Sequence, residues 1–273
     1  MSSTKLRNKV AVITGASSGI GRALAIAMSQ EGASVVLAAR NKEKLEEVVT
    51  GINYQGQKAM AIQSDVSNEN DCKNLIINAV EEFGKLDILV NNAGISMRAL
   101  FKDTKVDVLK KLMDINFWGM VYCTKYAMPY LLESKGSVVG VSSVAGYKGL
   151  PGRTGYSSSK FAMHGFLESL RIENLKTGLH VLIACPGFTA SNIRNTALNE
   201  SGEQQGESPR DEGKMMSPEE VAKHIIKAII KRKDRIVLTS QGKTTVRLNK
   251  IFPGFMDKMV YQHMAKEPDS PFN

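Results

Sequence analysis

Runs of four to six residues that are apolar at nearly every position recur along the first 185 residues, separated by longer stretches with helical patterning. They fall at 10–14, 34–38, 59–62, 86–90, 137–141 and 180–184, and a seventh follows at 235–238. A strand with one wet face alternates apolar and polar residues. These runs do not, so both of their faces must be covered. Strands that alternate with helices then require a parallel sheet with helices packed on each side. The expected architecture is α/β, a doubly wound parallel sheet of about seven strands.

At 42% hydrophobic and 23% charged residues, the composition is that of a folded, water-soluble chain. No apolar run approaches the roughly 18 residues of a membrane-spanning helix. Cys72, Cys123 and Cys185 are too few and too widely spaced for a disulfide framework or a zinc site. The first strand begins by residue 10, which leaves no room for a signal peptide, so a cytoplasmic location is expected. Residues 1–273 read as one domain, with a variable loop at 188–216 and a basic, amphipathic extension at 241–273. Within the loop, residues 199–213 are polar and rich in Gly and Glu, the mark of a mobile surface segment. Ser217-Pro218-Glu219-Glu220 has the pattern of a capping box opening a helix.

The turn after the first strand is Thr14-Gly15-Ala16-Ser17-Ser18-Gly19-Ile20-Gly21, and a helical pattern follows it. Missing Cβ atoms let the backbone turn sharply and approach a diphosphate. The helix N-terminus adds unpaired N–H donors. The turn therefore marks a Rossmann-type nucleotide site, which would include Ser17, Ser18 and Ile20.

The glycine spacing G-x-x-x-G-x-G after a Thr resembles the short-chain dehydrogenase/reductase family. Further motifs carry the resemblance. Asn91-Asn92-Ala93-Gly94 follows the fourth run, and Ser143 follows the fifth. Tyr156-Ser157-Ser158-Ser159-Lys160 matches a Tyr-x-x-x-Lys signature 13 residues beyond Ser143, and Pro186-Gly187 follows the sixth run. Asn116 lies in the long helical stretch between the fourth and fifth runs. The resemblance covers residues 8–240 and implies hydride transfer between a nicotinamide cofactor and a carbonyl or secondary alcohol. It implies cofactor contacts from the glycine turn, Asn92, Ala93, Gly94, Lys160, Pro186, Gly187 and Thr189, and places adenine against Asp65 and Val66. Asp65 reads equally as a helix N-cap, and both readings can hold.

Ala39 stands where the family's NAD-selecting acid usually sits, and Arg40 follows it. An acid there would repel a 2′-phosphate, whereas a guanidinium can grip one with two bonds. NADP(H) is therefore expected over NAD(H).

Tyr156 and Lys160 lie four residues apart and share a helix face. A free phenol, with a pKa near 10, is a poor proton donor at neutral pH, and a nearby ammonium favours its ionised form. Tyr156 is expected to exchange the proton with the substrate oxygen, its pKa lowered by Lys160. Ser143 is expected to hold the developing alkoxide. By resemblance, Lys160 also holds the nicotinamide ribose and Asn116 positions a water of the proton relay. No role is assigned to Ser142, Ser157, Ser158 or Ser159. His164, His180, His224 and His263 lack metal spacing and read as non-catalytic, and no metal is expected. Met97, Met163, Met215 and Met216 read as gap fillers, with the methionines near 188–216 also candidates to line a substrate pocket.

The net charge is +9, and +7 of it falls in residues 221–273. No nucleic-acid-binding motif accompanies it, so a solvated surface is favoured. Leu248, Ile251, Phe252, Phe255, Met256, Met259 and Val260 recur at helical spacing, broken into two short helices by Pro253-Gly254. A substrate lid, a subunit contact and a membrane-surface helix all fit this stripe, with packing favoured over peripheral membrane contact. By resemblance, the stretches 103–133 and 155–175 build a homodimer or homotetramer interface. A 3-oxoacyl thioester, a steroid-like or lipid-like ketone and a small xenobiotic ketone are the substrate candidates. A cofactor-binding sensor without catalysis and an isomerase or dehydratase are the rival functions.

Overall fold

The computed structural model describes residues 4–206, 213, 215–266, 270 and 272. The expected surface segment 199–213 falls partly outside them, at 207–212. Seven parallel strands form one sheet in the order β3-β2-β1-β4-β5-β6-β7. They are β1 (Val10–Thr14), β2 (Ser34–Ala39), β3 (Ala59–Gln63), β4 (Ile88–Asn91), β5 (Ser137–Val141), β6 (His180–Cys185) and β7 (Arg235–Val237). The helices between them are α1 (Gly19–Gln30), α2 (Lys42–Tyr54), α3 (Glu69–Phe83), α4 (Val106–Met113), α5 (Gly119–Glu133), α6 (Thr154–Glu173) and α7 (Pro218–Ile230). Two more, α8 (Ser240–Ile251) and α9 (Pro253–Ala265), close the chain.

The continuous apolar character of the strands is explained by two cores. Ala11 and Ile13 of β1 face a cluster holding Leu24, Leu45 and Ile225 of α1, α2 and α7. Val12, between them, faces a second cluster with Leu75, Cys123 and Leu167 of α3, α5 and α6. Successive residues of a strand point to opposite faces, so each must be apolar when both faces are covered. Because all strands run the same way, their C-terminal ends lie along one edge, where ligands of such sheets bind.

Three local readings change. The fourth strand begins at Ile88, not Leu86, because Asp87 turns its carboxylate to β1, accepting from Val10 N at 2.9 Å and Lys9 Nζ at 2.7 Å. The 103–133 stretch is not one helix: a π-helical segment, Asp114–Trp118, separates α4 from α5. The N-cap of α3 is Asn68, whose Oδ1 accepts from Asn70 N and Asp71 N, so Asp65 does not cap that helix. At α7 the capping box forms as read, with Glu220 N donating to Ser217 Oγ at 3.1 Å and Ser217 N to Glu220 Oε2 at 3.0 Å.

Candidate active site

The glycine turn leaves β1 and enters α1 with Gly15 at φ +66° and Gly19 at φ +52°, conformations that side chains strain. A Cβ on Gly21 would lie 2.3 Å from Gly15 O, so only glycine lets the turn close on the helix. Ser18, the N-cap of α1, makes no side-chain cap bond, which leaves first-turn N–H groups aimed into a cleft of about 370 Å³. Backbone donors without Cβ atoms around them fit a nucleotide diphosphate.

The cleft runs past Ser17, Gly19 and Ile20 to Arg40, Asp65 and Val66, and on its other wall past Asn92, Ala93 and Gly94. Asn92 braces the turn: its Nδ2 donates to Thr14 O at 2.9 Å, and its backbone N donates to Thr14 Oγ1 at 3.0 Å. Thr14 Oγ1 also accepts from Ala93 N at 3.0 Å. Thr14 is thus a joint between two motifs, signalled only by its place before Gly15. Arg40 is exposed at the rim, its carbonyl held by Gln63 Nε2 at 3.0 Å. Burial raises the Asp65 carboxyl, but Ser67 hydrogen bonds and the charges of Arg40 and Lys111 outweigh it and hold the group below its usual value. Lys111 reaches this end from α4, a contact no local motif announces.

The cleft continues into a narrower space of about 140 Å³ lined by Ser143, Tyr156, Lys160, Pro186, Gly187 and Thr189. Ser143 Oγ accepts from Ala145 N at 3.1 Å, which fixes the hydroxyl at the end of β5. Lys160 is 4% exposed, its Nζ donating to Val141 O at 3.0 Å and lying 5.6 Å from the centre of the Tyr156 ring. Burial lowers its pKa to about 8. The Tyr156 phenol departs from expectation. Burial pushes it above the usual tyrosine value, and the Ser143 hydroxyl and the Arg153 and Arg194 guanidiniums offset this only in part. Lys160 faces the ring of Tyr156 rather than relieving the buried phenol oxygen.

Asn116 lies behind these groups, buried in the π-helical segment between α4 and α5. Its Oδ1 accepts from Ile95 N at 2.8 Å, and its Nδ2 donates to Ile95 O at 3.0 Å and Ser159 Oγ at 2.9 Å. Both amide protons are therefore spent on protein. Ser159 Oγ in turn donates to Tyr156 O at 2.8 Å, so a serine with no assigned role ties Asn116 to the tyrosine's helix. Ser142 bonds His164 at 2.8 Å, and burial lowers the imidazole pKa to about 4, which keeps His164 neutral. Among the described residues, no three His, Cys, Asp or Glu side chains group as a metal site.

Thr189 lines the narrow space, its Oγ1 donating to Gly187 O at 3.3 Å. Arg153 and Arg194, unremarked in the sequence, also border it. Met216 does not line the pocket. It pairs with Thr189 and packs on the α1–α7 core, while Met264 of α9 takes the pocket position.

Residues 9–202 match the family model for short chain dehydrogenases. A mouse protein, dehydrogenase/reductase SDR family member 7B, is 34% identical over 271 residues, covering 97% of this chain and 84% of its own. An Arabidopsis thaliana protein, 11-beta-hydroxysteroid dehydrogenase-like 2, is 41% identical over 70% of this chain and 63% of its own. A short chain dehydrogenase/reductase from Burkholderia phymatum, solved with NAD, superposes with a TM-score of 0.81 at 26% identity, over 92% of this chain and 96% of that one. An alcohol dehydrogenase from Thermococcus sibiricus, solved with 5-hydroxy-NADP, gives 0.74 at 25% identity, over 84% and 95%.

Proposed function

Because this chain belongs to the short-chain dehydrogenase/reductase family, and is thus an oxidoreductase of CH–OH groups, we propose that it is an NADP(H)-dependent carbonyl reductase with Tyr156 as its proton donor. When bound, the cofactor supplies the hydride. The observation that carries the reading is the convergence of Ser143, Tyr156 and Lys160 on one wall of a space continuous with the glycine-turn cleft. Ser143 holds the carbonyl oxygen as charge develops on it. Tyr156 passes its phenolic proton to that oxygen, a transfer that the Ser143 hydroxyl and the Arg153 and Arg194 guanidiniums favour and that its burial opposes. Lys160, its ammonium fixed by Val141 O, would orient the ribose of the bound cofactor. Thr189 and the backbone around Gly187 hold the nicotinamide amide.

The Asn116 side chain is spent on Ile95 and Ser159, so a relay water would have to rest on its backbone carbonyl. Arg40, with Lys111 nearby, favours a 2′-phosphate at the adenosine end.

The test is NADPH oxidation at 340 nm against ketones, 3-oxoacyl thioesters and steroids, with Tyr156→Phe as the control. The variant is expected to lose about 10²–10⁴-fold in turnover while keeping cofactor affinity within about twofold. Full activity in Tyr156→Phe overturns the proton donor.

A further inference from the structure

The turn that carries Ser143 leaves β5 and rests on His164 of α6 at two places. Before Ser143, the Ser142 hydroxyl bonds Nε2 of the imidazole at 2.8 Å. After it, Gly146 packs so closely on the ring that a Cβ there would lie 2.6 Å from the same nitrogen. Between them, Ser143 Oγ is held by Ala145 N. One side chain of α6 thus grips both ends of the segment that presents the Ser143 hydroxyl.

His164 lies four residues beyond Lys160 and eight beyond Tyr156 on α6, so the three sit on successive turns of one helix face. The ring is 6% exposed and stays outside the catalytic space, whose wall at this point is Ser142. Its other neighbours fix its plane. Tyr147 packs on it edge-on, 4.5 Å between ring centres, and the Arg235 guanidinium, paired with Glu168, lies 5.4 Å from the centre of the Tyr147 ring. Cys185 Sγ, at the end of β6, is 3.6 Å from Nε2. Burial and the charges of Arg235 and Lys160 all disfavour an imidazolium, so the ring holds Ser142 as a neutral donor or acceptor.

The same turn is tied on its outer side. Tyr147 O accepts from Asn249 Nδ2 of α8 at 3.0 Å, and Lys148 Nζ pairs with Asp257 Oδ1 of α9 at 2.6 Å. Beside it, a Cβ on Gly187 would fall 2.3 Å from Thr239 Oγ1, at the start of α8. Those ties place the turn against the C-terminal helices, whereas His164 places it against the helix that carries Tyr156 and Lys160.

We propose that His164 is a positioning residue for the reduction: by pinning the turn at Ser142 and Gly146, it sets the distance between the Ser143 hydroxyl and the Tyr156 phenol. The assignment rests on the reductase reading for what those two groups do. A reacting geometry is sensitive to such a pin, since a misplacement of about 1 Å costs on the order of 10²-fold in turnover.

The test compares His164→Leu, His164→Gln and Ser142→Ala in the full chain. Gln brings an amide nitrogen near the position of Nε2 and can bond Ser142, whereas Leu fills the site and cannot. Against the ketone that the wild type reduces fastest, His164→Leu is expected to lose about 10–100-fold in kcat, with KM and the NADPH Kd within about twofold. His164→Gln is expected to recover kcat to within about threefold of wild type. Ser142→Ala should lower kcat as well, and adding it to His164→Leu should cost nothing further, because both break one link.

A second readout needs no turnover. The Ser143 hydroxyl bonds the Tyr156 phenol. The ¹³Cζ resonance of Tyr156, assigned by its loss in Tyr156→Phe, should therefore move in Ser143→Ala, move the same way in His164→Leu, and stay in place in His164→Gln. A side chain that merely filled space would change the melting temperature and leave that resonance alone. Wild-type kcat with an unmoved resonance in His164→Leu overturns the proposal, as does a loss that His164→Gln shares in full. If His164→Leu fails to bind NADPH, Ser142→Ala decides by the same two readouts. A wild type that reduces no ketone overturns the reductase reading, and the resonance alone then judges the pin.

Discussion

Lys160 carries its ammonium where only 4% of the residue is exposed, and that burial has a thermodynamic signature. Its pKa falls from 10.5 unfolded to about 8 folded. Below pH 8 the folded chain must hold a buried charge, so the cost is fully present there and fades as pH rises to 10.5. Lys160→Met should therefore stabilise the cofactor-free protein by about 1–2 kcal/mol at neutral pH, after allowing for the lost bond to Val141 O. Denaturant titrations at several pH values would show the advantage vanish near pH 10.5; a pH-independent difference would sink the account. At the far end of the cleft, Arg40→Ala should weaken NADPH binding about 10–100-fold and NADH binding less than about threefold, measured by fluorescence titration. Equal losses would mean that Arg40 does not read the 2′-phosphate.

At the scale of elements, Asp87 seats the sheet's centre. Burial would raise its carboxyl, but the bonds from Lys9, Val10 N and Lys85 outweigh it and hold the group below 3.8. Its support is present above that pH and is lost on further acidification. Because both lysines are about half exposed, Asp87→Ala should cost about 2–3 kcal/mol by urea denaturation at pH 7. A loss under about 0.5 kcal/mol would reduce the cluster to a surface ion pair. The same residue shows where sequence reading stops. Leu86-Asp87-Ile88 looks like unbroken strand, since nothing local tells that the carboxylate will bond a neighbouring strand. The strands themselves were legible because burial on both faces leaves a pattern in every residue. The glycine turn and the Tyr156–Lys160 pair were legible because their chemistry is local. The π-helical turn that delivers Asn116, the serine that ties it to Tyr156, and Lys111 were not, because each depends on a partner at least about a helix away.

At the scale of the whole molecule, the face formed by α5, α6 and the π-helical segment leaves Trp118 and Phe161 44% and 46% exposed. Phe117 and Phe166 pack edge-on beside them, 6.3 Å between ring centres. Aromatic groups left uncovered on one face fit a self-complementary contact between two copies. If two copies meet on this face, light scattering during gel filtration is expected to give twice the chain mass, and Phe161→Asp to halve it. An unchanged mass would move the interface elsewhere. Gly187 meets Thr239 with no room for another atom, and the Lys148–Asp257 pair and the bond from Asn249 Nδ2 to Tyr147 O tie α9 and α8 to the loop after β5, so these two helices are joined to the loops of the reactive machinery at several points. An alteration in either helix is therefore expected to be felt at Ser143 and Thr189, so a change made there for one property of the protein is expected to move another with it.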